Sequence, residues 1–87
     1  MSQRRQRLPL VSSGKLVRAL IRLGFSADPH PSGGSHLSMY RERPDGTSDI
    51  TVVVLGKKEI PRGTLKEILR LGNVSDPEFL RALRRRR

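Results

Sequence analysis

His30 and His36 are the only side chains in this 87-residue sequence whose ordinary titration falls near neutral pH; there is no cysteine. His36 follows Ser32-Gly33-Gly34-Ser35 and opens the alternating stretch Leu37-Ser38-Met39-Tyr40. Glycines lack a Cβ, so their backbone can approach another molecule closely. An imidazole set just behind them suits proton transfer at neutral pH. A plain glycine turn entering a strand has the same pattern, so residue types alone leave the role of His36 open. His30, between Pro29 and Pro31, reads as an exposed loop residue. Two histidines and scattered carboxylates form no cluster with metal-ligand spacing, so neither a metal nor a cofactor is expected.

Charge supplies the second signal. Eighteen basic and eight acidic residues give +10. Arg4, Arg5 and Arg7 at the start, and Arg81 and Arg84 to Arg87 at the end, stand without acids and leave residues 8–80 at only +2. Basic tails of this kind bind nucleic acid through its phosphates. Tyr40, Phe25 and Phe79 are the only aromatics, too few for a base-stacking platform. No apolar run approaches the ~18 residues of a membrane span. The missing cysteines fit a reducing cytoplasm. A chain this short makes one small domain, so a site must be an open surface rather than a large cavity.

The elements that position these residues follow from periodicity. Ser12 or Ser13 caps a first helix over 13–23, with Leu16, Leu20 and Leu23 on one stripe and Lys15, Arg18 and Arg22 on another. Prolines allow only a brief edge strand near 25–28. Residues 36–43 and 48–55 read as a hairpin around Pro44-Asp45-Gly46. Matching apolar partners predicts Arg43 opposite Ser48, which sets His36 opposite Leu55 and Met39 opposite Val52. Thr64 with Glu67 and Ser75 with Glu78 have capping-box spacing and start two further helices, the first ending at Gly72 and the second spanning 76 to about 83.

The order helix, three strands, two helices predicts an α+β domain with the helices on one face of a three-stranded antiparallel sheet. Residues 1–11 read as a basic flexible arm, 12–83 as the domain, and 84–87 as an arginine tail. The predicted register turns Leu37, Met39, Ile50, Val52 and Val54 toward the helices. It leaves His36, Tyr40, Val53 and Leu55 on the open face, which is then apolar enough to predict a partner there. Arg41, near the end of its strand on the helix side, is expected to reach for solvent.

Several pieces in order resemble the HicA family of toxins, small bacterial mRNA interferases paired with HicB antitoxins. They are Gly14-Lys15-Leu16-Val17 with Leu23-Gly24-Phe25, then Gly34-Ser35-His36, then Arg43-Pro44-Asp45-Gly46. Gly56-Lys57-Lys58-Glu59-Ile60, Pro61-Arg62-Gly63-Thr64-Leu65 and Ile68-Leu69 complete the set, which spans roughly 14–83. Val52-Val53-Val54-Leu55 departs from the family's usual Val-Pro-Val-His, so no second histidine stands beside His36. The resemblance implies a fold like the double-stranded-RNA-binding domain and metal-independent cleavage of mRNA in the cytoplasm, with His36 as general base. Gly34 and Ser35 amides would hold a phosphate oxygen, and Lys57 or Lys58 would offset developing charge. The implied partners are RNA and a HicB-like antitoxin, with homo-oligomerisation inside that complex left open. A non-catalytic RNA-binding module of the same fold is the alternative.

Overall fold

A computed structural model describes residues 8–28 and 34–85 of the chain. Ser12 is extended and its Oγ accepts the Lys15 amide at 3.2 Å, which starts α1 (Ser13–Arg22). Leu16, Ala19 and Leu20 recur at helical spacing and are buried. The helix ends in a left-handed cap at Gly24 (φ 101°). The Gly24 amide donates to Ile21 O and the Phe25 amide to Leu20 O, both at 3.0 Å. Phe25 is thereby turned into the core beside Leu20.

β1 (Ser26–Ala27), β2 (His36–Glu42) and β3 (Ser48–Val54) form an antiparallel sheet in that order. Its register differs by one residue from the expected one. His36 faces Val54, Met39 faces Thr51, and Glu42 faces Ser48. The turn decides this. Arg43 pairs with Thr47, whose carbonyl accepts its amide at 2.8 Å, around a three-residue loop closed by Gly46 at φ 92°. The Asp45 carboxylate holds the loop through the Thr47 amide (2.9 Å) and hydroxyl (2.6 Å).

Consequently Asp49, Thr51 and Val53 point inward, while Ile50 and Val52 are exposed. Val53, expected on the open face, is fully buried, and Leu55 is half-buried against the core. The inward Thr51 and Asp49 side chains both find partners, which is why this register is tolerated. Thr51 Oγ1 donates to Ile68 O at 2.7 Å. Asp49 accepts from Arg41 Nε (3.0 Å), Arg43 Nε (2.8 Å) and Asn73 Nδ2 (3.4 Å). Arg41 does not reach for solvent. Its guanidinium stacks 4.6 Å from the Phe25 ring centroid and donates to Leu23 O.

α2 (Arg62–Leu71) begins earlier than the Thr64 spacing suggests. Pro61 is the residue before it, so Thr64 already sits within the first turn, and Glu67 pairs with Arg70 instead of capping. Two contacts set this entry: Ile60 bridges to Val11, and Arg62 Nε donates to Leu8 O. Residues 8–11 are therefore packed rather than a free arm, with Leu8 and Val11 in the core. The first seven residues lie outside the described ones.

α2 stops at Gly72, but the left-handed residue is Asn73 (φ 60°). Gly72 serves close approach: a Cβ there would lie 3.3 Å from Phe25 Cζ and from Thr51. α3 (Asp76–Arg84) opens with the expected Ser75/Glu78 capping box and Pro77 in its first turn. Phe79 and Ala82 complete a core shared by all three helices and the inner sheet face.

Candidate functional site

His36 is the first residue of β2, exposed on the face away from the helices. The Leu55 amide donates to Ser35 O at 2.8 Å, so Ser35 and Leu55 form a hydrogen-bonded pair and the ladder continues past the strand end. By alternation His36 and Val54 form a non-hydrogen-bonded pair, in which facing side chains stand closest. The apolar neighbour of the ring is thus Val54, not Leu55. Ser35 Oγ lies 3.2 Å from His36 Nδ1. Gly34 is exposed, and nothing lies within 4 Å of where its Cβ would be. His30 and Gly33 lie outside the described residues.

The loop carrying Lys57 and Lys58 is held at this end of the sheet by Ser13. The Ser13 amide donates to Lys57 O (2.9 Å), while its Oγ accepts the Lys57 amide (2.9 Å) and donates to Val54 O (2.7 Å). The sequence singled out Ser13 only as a possible cap. Its place in a short polar stretch carries no sign of a contact 44 positions away. Both lysines are exposed and form no ion pair among the described residues. Among the described residues no group of three potential metal ligands occurs, and no helix is long and apolar enough to cross a membrane.

Beyond His36 the open face carries Ser38 and Tyr40 from β2, and Ile50, Val52 and Val54 from β3. Tyr40 is 42% exposed, Ile50 60% and Val52 37%. This face is apolar as expected, but from Ile50 and Val52 rather than Val53 and Leu55. The ordered sequence pieces now have a shared geometry, with Gly34-Ser35-His36 and Lys57-Lys58 brought to one end of a helix-backed sheet. A family model described as HicA toxin of bacterial toxin-antitoxin matches residues 13–73. The chain belongs to the HicA toxin family. Membership makes it a toxin of a toxin–antitoxin pair, with an antitoxin as its implied partner. The HicA match covers α1, the whole sheet and α2, and stops before α3. A search among curated proteins gives no match.

The other charged cluster of this HicA chain lies on the inner face. Arg41 sits five residues along β2 from His36, about 17 Å at ~3.4 Å per residue, and Asp49 faces it from β3. Burial pushes the Asp49 carboxyl up. Hydrogen bonds from Arg41 and Asn73 and the charge of Arg43 outweigh this and hold it below the ordinary carboxylate value. Arg41 Nη2 is a further ion-pair contact at 2.9 Å to Asp49. This cluster faces the core and secures the hairpin rather than forming part of the exposed site.

Proposed function

We propose that this toxin is a metal-independent endoribonuclease that cuts mRNA with His36 as general base. The observation that carries the proposal is the exposed imidazole at the strand end with Ser35 Oγ at its Nδ1. In this proposal Nδ1–H donates to Ser35 Oγ, so Nε2 keeps its lone pair for the substrate. Nε2 takes the proton from a ribose 2′-OH. O2′ then bonds to the adjacent phosphorus, and the P–O5′ bond breaks. The leaving O5′ takes a proton from water or a lysine. Products are a 2′,3′-cyclic phosphate and a 5′-OH. The amides of the exposed residues Gly34 and Ser35 can hold a phosphate oxygen, and Lys57 or Lys58 can offset its growing charge.

The antitoxin partner suits the open sheet face, where Tyr40, Ile50 and Val52 supply an apolar centre beside His36. A protein seated there excludes RNA by occupying the same surface. The deciding experiment is cleavage of a long RNA in EDTA by wild type, His36→Ala and His30→Ala, with product ends mapped. Wild type and His30→Ala cut to cyclic-phosphate ends, and His36→Ala loses ~10²–10⁴ in rate. Equal cleavage by wild type and His36→Ala would falsify the role of His36. Activity lost in EDTA would replace the scheme with a metal-dependent one.

A further inference from the structure

α1 contains no acidic residue, and Lys15, Arg18 and Arg22 stand three and four apart along it. Lys15 and Arg18 are exposed and have no ion-pair partner among the described residues. Arg22 is half-buried and its Nη1 donates to Ala82 O at 3.0 Å, which ties α3 to α1. All three line one groove with Leu10 and Leu83. Arg81, Arg84 and Arg85 line the next groove across α3. The two acids of α3 are already engaged. Glu78 closes the Ser75 cap and lies 3.9 Å from Arg41, and Asp76 pairs with Lys66 at 2.7 Å.

This basic face begins at the His36 end of the molecule. Ser13 joins the start of α1 to Val54, which faces His36, and to the loop of Lys57 and Lys58. Lys57, Lys58, Lys15, Arg18 and Arg22 therefore follow one another from the sheet end around its edge and along α1. From Lys15 to Arg22 the helix rises about 10 Å, or about three steps of a strand stacked at ~3.4 Å. Phe25 and Phe79 are buried, so this face offers charge without base stacking. The chain has an apolar sheet face suited to protein and a separate helical face, acid-free along α1 and with Glu78 beside the α3 arginines, whose excess of cations suits a polyanion.

We propose that the sugar–phosphate chain of the bound RNA continues from His36 over this α1–α3 face, which grips its phosphates irrespective of sequence. This rests on the ribonuclease reading for its starting point, but its test does not need cleavage. A labelled 2′-O-methyl RNA lacks the attacking hydroxyl, so the full wild-type chain can be titrated with it at several salt concentrations. Lys15→Gln/Arg18→Gln is compared with Lys66→Gln/Arg70→Gln, which removes two ion-paired cations from α2. Thermal melts verify that both double variants fold. The α1 pair is expected to weaken binding several-fold at low salt and to lower the slope of log K against log salt by about 1.4, ~0.7 per cation. The α2 pair should track wild type. A wild-type slope in the α1 variant, or an equal loss in the α2 variant, overturns the proposal. So does an α1 variant that keeps RNA but loses the antitoxin, which would assign the face to protein. A wild type that cuts no RNA yet shows the slope difference sinks the ribonuclease reading and upholds this face as an RNA surface.

Discussion

His36 and Asp49 are the two side chains whose surroundings decide most. The exposed His36 ring contributes little packing, so His36→Ala should melt within about 0.5 kcal/mol of wild type while cleavage falls. A melting shift beyond that would mean the ring supports the sheet. Asp49 is the opposite case: buried and bonded to Arg41, Arg43 and Asn73. Asp49→Asn leaves the inward Arg41 with only Glu78, at 3.9 Å, as counter-charge and should cost about 3 kcal/mol at pH 7, read by urea unfolding. The sign with pH follows from the lowered carboxyl. The native state holds this proton less tightly than the unfolded chain, so the stabilisation is complete above the ordinary value of about 3.9. It is lost as pH falls through the lower native value. The gap between wild type and Asp49→Asn should therefore be constant from pH 7 to pH 5 and close below about pH 4. A gap that persists in acid would show that Asp49 acts by shape rather than charge.

At the scale of elements, the hairpin is where one residue of register redistributes function. Ile50 and Val52 belong to the open face and Val53 to the core. Ile50→Glu should leave the fold within about 0.5 kcal/mol of wild type and weaken antitoxin binding in a pull-down. Val53→Glu should cost about 4 kcal/mol or more, because it buries an unpaired charge. If Ile50→Glu unfolds the protein and Val53→Glu does not, the other register is correct. The caps make a similar distinction. Ser75→Ala removes a real cap and should cost about 1 kcal/mol, whereas Thr64→Ala, which caps nothing, should cost less.

Across the whole molecule, folding and charge are largely separate. Among the described residues the core runs from Leu8 to Ala82. Deleting residues 1–7 together with 86–87 should leave the melting transition nearly unchanged and flatten the salt dependence of RNA binding by ~0.7 for each phosphate no longer neutralised. Extending the deletion through Val11 should instead destabilise the protein. It removes Leu8 and Val11 from the core, the bridge to Ile60, and the carbonyl that Arg62 bonds. Equal melting of the two truncations would return residues 8–11 to the flexible arm.

What the sequence determined by itself was local or periodic. Leu16 and Leu20 mark α1, alternation marks β2, and Ser75 with Glu78 marks the start of α3, because each signal spans only a few residues. His36 at the entrance to an exposed strand was legible for the same reason: Leu37 and Met39 must face inward whatever the partner strand does. Register, packing of the arm and the placement of Ser13 were not legible. Val52-Val53-Val54 is apolar at every position, so hydrophobic pattern alone cannot choose which face is buried. That choice fell to Gly46 in the turn and to Arg41, which makes an inward Asp49 tolerable from eight residues away. Leu8 and Val11 read as a tail until Ile60 and Arg62, some fifty residues later, give them a surface to cover. Contacts between residues distant in the chain depend on the assembled fold, and only the tertiary structure brings those partners together.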